Sequence, residues 1–295
     1  MIDHWRDESQ VRRMSSDEAA KLRTLMLRSL QQKAAGDDSA PRLIMVCGGR
    51  SGVGTTTLAI NLSVAMALNG ARVVVVDADK NRQDVALLCG LAEHDATIDV
   101  LAAGRDIYEV MQLGPAGIQV VPGFWGPKSV ADFSEVRQQR LMNQLRSLHR
   151  HADTVVIDAG GGASEIVRRF WDTADQVVVT STPNSVVVME TYALIKSMSN
   201  KGVTPIGLVV NQANNRDQAD DVFHRVDKSC KRFLQLELKS LGFVSPDGGV
   251  EVAKDAAIPL LIRLPQSEAS LQMLELASQL CAVYELGKMR RSKAA

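Results

Sequence analysis

From Pro41 onward the chain alternates short apolar, β-branched runs with stretches of helical spacing, and that alternation constrains the fold more than any other feature. The runs lie at 43–47, 73–76, 118–121, 154–157, 177–180, 206–210 and 242–244. Helical stretches at 56–69, 134–149, 164–173, 186–199 and 218–236 separate most of them. Strands apolar at every position must be buried on both faces, and parallel strands need a crossover, usually helical. The pattern therefore predicts an α/β protein with a mostly parallel twisted sheet covered by helices on both faces. Ligands of such sheets sit at the carboxyl ends of the strands, so polar residues there are the functional candidates.

Residues 1–40 read differently. Ser15 and Glu18 form a capping-box pair, and Ala19, Leu22, Leu25, Met26 and Leu30 recur at helical spacing. The arm then runs through Ala35-Gly36-Asp37-Asp38-Ser39-Ala40, a linker composition. The domain organisation expected is an amphipathic arm and linker over 1–40, a parallel-sheet α/β domain over 41–285, and a basic tail over 286–295. An amphipathic helix before a linker docks either on its own domain or on a partner, and its pattern does not choose. The 295 residues carry 34 Lys plus Arg and 34 Asp plus Glu, so formal charge is zero. That balance argues against broad electrostatic capture of nucleic acid, and no specific nucleic acid partner is expected. The four cysteines, Cys47, Cys89, Cys230 and Cys281, form no C-x-x-C pair and fit buried thiols in a reducing, cytoplasmic compartment. No apolar run approaches the ~20 residues of a spanning helix.

The strongest local signal follows the first run: Gly48-Gly49-Arg50-Ser51-Gly52-Val53-Gly54-Thr55-Thr56-Thr57, then a helix. Gly49 to Thr56 has the spacing of a phosphate-binding loop. Glycines at 49, 52 and 54 let successive backbone N–H groups converge, and the helix that follows adds its positive end. Ser51, Val53, Thr55 and Thr57 complete the cradle, and the Thr56 hydroxyl is placed to ligate the Mg²⁺ that accompanies a nucleoside triphosphate. The position that carries lysine in such loops is Thr55. Charge-assisted hydrogen bonds from that lysine are worth ~1.5–3 kcal/mol, so its loss weakens affinity by about one to two decades unless another cation compensates. Arg50 is the only basic residue in the loop; it is either a solvated cation or a phosphate ligand, in its own subunit or a partner's.

Carboxylates stand at two further strand ends. Asp77 and Asp79 close the second run, where a hydrolase needs Mg²⁺ and an attacking water. Asp158 closes another, before Gly160-Gly161-Gly162, and reads as the carboxylate behind the metal. Each alone is as readily a turn or cap residue; their order along the chain favours the nucleotide reading. Asn211 ends a later strand, to read a base edge or to form a turn. The histidines have no metal-ligand spacing.

These strings resemble the MinD/ParA group of deviant Walker ATPases, and within it the FlhG (FleN, YlxH) branch. The family's loop, K-G-G-x-G-K-T-[ST], is occupied here by Arg50-Ser51-Gly52-Val53-Gly54-Thr55-Thr56-Thr57. Val76-Asp77-Ala78-Asp79, Ile157-Asp158-Ala159-Gly160-Gly161-Gly162-Ala163-Ser164 and Thr191-Tyr192-Ala193-Leu194-Ile195-Lys196 are similar to further family segments. Asp17-Glu18-Ala19-Ala20-Lys21-Leu22-Arg23 resembles the family's amino-terminal D-Q-A-x-x-L-R motif. The resemblance implies a P-loop NTPase fold, ATP and Mg²⁺ as cofactors, and a homodimer closed around ATP. It also implies an FlhF-like GTPase bound through the arm, and control of flagellar number and placement.

The family attaches at the inner face of the cell membrane through a carboxy-terminal amphipathic helix. Here the apolar positions Met273, Leu276, Leu280 and Val283 are followed rather than flanked by basic residues, so a helix folded onto the domain is expected instead. Both family lysines are replaced, by Arg50 and Thr55, so hydrolysis is expected to be weak or absent. The rival reading is a non-catalytic scaffold similar to the TadZ proteins of pilus assembly, which also relax this loop.

Overall fold

The computed structural model describes residues 40–79, 81–82, 84–91, 106–123, 135–199 and 204–292. The arm with its 17–23 motif, the Phe124–Trp125 pair, His4, His94 and the last three residues lie outside the described residues, as does the Val283 side chain.

Among the described residues, eight strands form one sheet. In chain order they are β1 (Arg42–Gly48), β2 (Val73–Asp77), β3 (Gln112–Leu113), β4 (Gln119–Val121), β5 (Thr154–Gly161), β6 (Gln176–Ser181), β7 (Ile206–Asn211) and β8 (Lys239–Val244). Their spatial order is β3-β4-β2-β5-β1-β6-β7-β8, with β3 alone antiparallel. Every residue of β1, β2 and β6 is buried, as the unbroken apolar runs required. The period of two divides them between two cores: Leu43, Met45 and Cys47 pack on one face, and Ile44 and Val46 on the other.

The helices follow the same logic. α1 (Thr55–Leu68) has no charged residue and is buried on nearly all sides, because it lies between the sheet and α9 (Glu268–Ser292). α2 (Val85–Leu88) is a single turn after β2. The opposite face carries α3 (Glu135–Ser147), α4 (Glu165–Thr173), α5 (Ser185–Met198) and α6 (Arg216–Leu234), whose buried side chains join the first core. Ser164, Asn184 and Asn215 each accept a backbone N–H from the first turn of α4, α5 and α6, which is why these helices start where they do.

Two short helices, α7 (Gly249–Asp255) and α8 (Leu260–Arg263), had no counterpart in the periodicity, being too brief to repeat a face. Leu260 and Leu261 fill the second core. The buried Leu261 N–H donates to Asn61 Oδ1 at 2.8 Å, while Asn61 Nδ2 donates to Thr57 O at 2.8 Å. Asn61→Ala is expected to cost about 1–3 kcal/mol, because it strands a buried donor. Urea denaturation checks this as a lower midpoint at unchanged slope.

α9 runs through the basic residues at 288–291 instead of ending before them. Met273, Leu276 and Leu280 are at most 2% exposed and lie in the second core, so the helix folds onto the domain and that stripe is closed to a membrane surface. Buried Arg42 secures it, donating to Leu280 O at 2.7 Å and to the Gln176 side chain. Among the described residues no helix is long and apolar enough to cross a membrane.

Candidate functional site

The parallel strands deliver their carboxyl ends to one edge, where a cavity of about 580 Å³ opens. β1 is flanked by β5 and β6, so the loop after Gly48 leaves the sheet at its centre. Gly52 (φ +87°) and Gly54 (φ +90°) adopt the left-handed backbone that turns the loop into α1. Gly161 lies directly beneath the loop: a Cβ there would overlap the backbone of Arg50 and Ser51. The Gly162 N–H donates to Gly48 O at 2.9 Å, fastening β5's end to the loop's start.

Ser51, Gly52, Gly54, Thr55, Thr56 and Thr57 line the cavity, together with Asp79, Gly160, Gly161 and Asn211. Gly49 is instead packed on the Glu190–Thr191 backbone of α5, and Val53 is 2% exposed. Asn211 Nδ2 donates to Val53 O at 2.8 Å, and its Oδ1 accepts from Gln212 N at 3.0 Å. The side chain at the end of β7 thus braces the loop from across the sheet.

The carboxylates separate into different roles. β2 and β5 are in register at Asp77 and Asp158, so the two buried side chains are neighbours. Asp77 was expected beside the attacking water; it does not line the cavity. It is fully buried, and its two oxygens accept from the Asp79 and Val85 N–H groups, both at 3.2 Å. It holds the turn that carries Asp79. Burial, reinforced by Asp158, pushes its pKa well above the usual carboxylate range. Asp79 reaches the cavity with its side chain against Gly160, where a Cβ would collide with it. Its Oδ1 accepts from Asn81 N at 2.8 Å. Burial raises its pKa, against the opposing pull of the Asn81 and Arg82 N–H groups.

Asp158 is 0% exposed; its Oδ1 accepts from Gly160 N at 3.1 Å. Its Oδ2 is buried without a hydrogen-bond partner, although the Thr56 hydroxyl is close enough to favour the charged form. Burial nevertheless raises its pKa to about 6. An orphaned carboxylate oxygen beside a threonine hydroxyl, at the foot of a phosphate cradle, fits a Mg²⁺ that Thr56 ligates and Asp158 supports.

Arg50 does not point into the cradle. Its guanidinium faces Glu190 at 3.7 Å, about half exposed, and it does not line the cavity. A phosphate role within its own subunit is therefore not what this geometry provides. The far wall, Gln212 with 244–248 and residues of α7, went unread in the sequence. The signal was there: Val244-Ser245-Pro246-Asp247-Gly248-Gly249 is a strand end running into turn residues at the ligand edge of the sheet.

The family description that matches is ParA, "NUBPL iron-transfer P-loop NTPase", over residues 39–281. The chain belongs to the ParA/MinD family of P-loop NTPases. A curated relative, the antiactivator FleN of Pseudomonas aeruginosa, is 28% identical over 248 residues, covering 84% of this chain and 89% of FleN. The flagellum site-determining protein YlxH of Helicobacter pylori is 23% identical over 230 residues, 78% of each chain. Among solved structures, the septum site-determining protein MinD of Pyrococcus horikoshii, complexed with Mg-ADP, superposes with a TM-score of 0.68 at 20% identity. It covers 81% of this chain and 96% of that one. The fold is thus that of the MinD-like NTPases, with both loop lysines of the family pattern replaced.

Proposed function

We propose that this protein is an FlhG-like regulator of flagellar number and placement that binds MgATP and hydrolyses it weakly or not at all. The observation that carries the reading is a cavity lined by the Gly52–Gly54 cradle, Thr56 and Asp79, with the orphaned oxygen of buried Asp158 behind Thr56. The likeness to FleN and YlxH supports the flagellar part.

Backbone N–H groups of the loop would hold the phosphates, and Thr56 with Asp158 behind it would hold Mg²⁺, which would supply positive charge to the phosphates. Asp79 orients water at the open end. Asn211 keeps the loop in shape, and Asp77 keeps Asp79 in place. With no lysine on the β/γ-phosphates, transition-state charge is poorly met, so turnover is slow. The signal is then carried by population: ATP favours a homodimer only by binding it more tightly than the monomer. The 17–23 arm engages an FlhF-like GTPase.

The test combines calorimetric MgATP titration, sedimentation with and without MgATP, and stimulation of an FlhF GTPase by the full chain and by a chain lacking 1–40. Binding, a nucleotide-dependent dimer and arm-dependent stimulation are expected. Thr55 favours a second reading, a non-catalytic TadZ-like scaffold, which predicts no hydrolysis and no stimulation of the GTPase with or without residues 1–40.

A further inference from the structure

The cavity wall is acidic. Asp79, Asp84, Asp247 and Glu251 face it, against Arg82 and Lys254 as the cations among the described residues. A polyphosphate entering this space without the loop lysine meets more repulsion than attraction, so where the residual positive charge sits matters.

Arg82 and Lys254 stand on opposite walls. Lys254 belongs to α7, beyond the ends of β7 and β8, and its ammonium lies 3.5 Å from Glu251. Arg82 belongs to the turn after β2, three residues past Asp79. That turn touches the phosphate cradle through named contacts: the Asp79 side chain rests on Gly160, and the adjoining Gly161 lies under the Arg50–Ser51 backbone. The same turn is anchored by Asp77, which accepts the Asp79 and Val85 N–H groups on either side of Arg82. A cation held there lines the same cavity as the Gly52–Thr57 cradle, on the side away from the loop.

Arg82 is also available. Its present partner is Asp84 at 2.9 Å, with the arginine side chain 57% exposed, and exposed pairs of this kind contribute little. Exchanging that carboxylate for phosphate offers a bidentate fit in a less solvated place.

We propose that Arg82 is the phosphate-binding cation of this protein, replacing the missing loop lysine from the opposite side of the triphosphate. The inference rests on the nucleotide reading above and deepens it. Because the turn that carries Arg82 leads directly into α2, the outermost phosphate becomes linked to the position of that helix. The residue therefore discriminates a nucleoside triphosphate from a diphosphate.

The test is fluorescence titration of the full chain with methylanthraniloyl-ATP and methylanthraniloyl-ADP in Mg²⁺. Arg82→Ala is expected to weaken the triphosphate about ten- to thirty-fold and the diphosphate less than about three-fold, the loss of one charge-assisted bidentate contact. Arg82→Lys recovers part of the loss, and Arg225→Ala, an exposed cation on α6, leaves both affinities unchanged. Equal weakening of both nucleotides, an effect under two-fold, or a loss seen with Lys254→Ala instead overturns the assignment. If the unaltered chain binds neither nucleotide at millimolar concentration, the nucleotide reading itself fails. Binding by the unaltered chain with Arg82→Ala indistinguishable from it removes only this inference.

Discussion

Thr55→Lys is expected to tighten MgATP binding by about one to two decades. Thr55 is 6% exposed and lines the cavity at the first turn of α1, in a loop whose backbone already has the left-handed turns at Gly52 and Gly54. A lysine there extends along the cradle, and its ammonium meets phosphate in a partly desolvated space, where each charge-assisted hydrogen bond is worth ~1.5–3 kcal/mol. The cradle keeps its backbone shape, because Gly161 beneath the loop and Asn211 behind it brace it independently of the side chain at 55. Calorimetry with MgATP reads the change directly. Unchanged affinity means that this cavity no longer takes a triphosphate, and the proposed mechanism falls.

Asp158→Asn is expected to have two opposite effects. In the nucleotide-free protein it stabilises. The folded chain keeps a proton on Asp158 up to about pH 6, whereas the unfolded chain releases it near 3.8. Stability therefore falls as pH rises between those values, and the penalty persists at neutral pH, at about 3 kcal/mol as an upper bound. A neutral amide escapes that penalty, so thermal melting at pH 7 rises, while at pH 4 the two proteins differ little. In MgATP the order reverses. Mg²⁺ needs the ionised carboxylate, so the native chain gains stability from MgATP at pH 7, less at pH 5, and the variant gains little at either. Melting curves at three pH values with and without MgATP check all of this. A variant that melts lower at pH 7 without nucleotide would show that Asp158 serves structure, not the metal.

Much of the architecture was legible because strand burial has a sequence cost. The runs at 43–47, 73–76 and 177–179 are apolar at every position, and only a sheet covered on both faces hides such a run. The loop was equally legible: glycines at 52 and 54 mark the places where the backbone must adopt φ near +90°. Short elements were not. The helices Gly249–Asp255 and Leu260–Arg263 are too short to reveal a face by repetition, and the second is held by Asn61, some 200 residues away in sequence.

Within the site, residue identities came from the chain and residue directions from the fold. Asp77 and Asp79 are two apart at one strand end and read alike. The strand sends Asp77 inward to the Asp79 and Val85 N–H groups, and the turn beyond sends Asp79 over Gly160 into the cavity. Arg50 read either as a solvated cation or as a phosphate ligand because it sits in the loop, and the fold leaves it outside the cavity lining, facing Glu190. Arg82 read as nothing in particular.

The order of amino acids by itself determined the layered α/β architecture, the phosphate cradle and the absence of its lysine, because those depend on periodicity, on glycine backbone freedom and on a single side chain. Only the tertiary structure decided which carboxylate faces the ligand, which cation remains beside it, and that the last helix closes a core. Those outcomes depend on which strands become neighbours, and neighbours in space are set by burial summed over the whole chain.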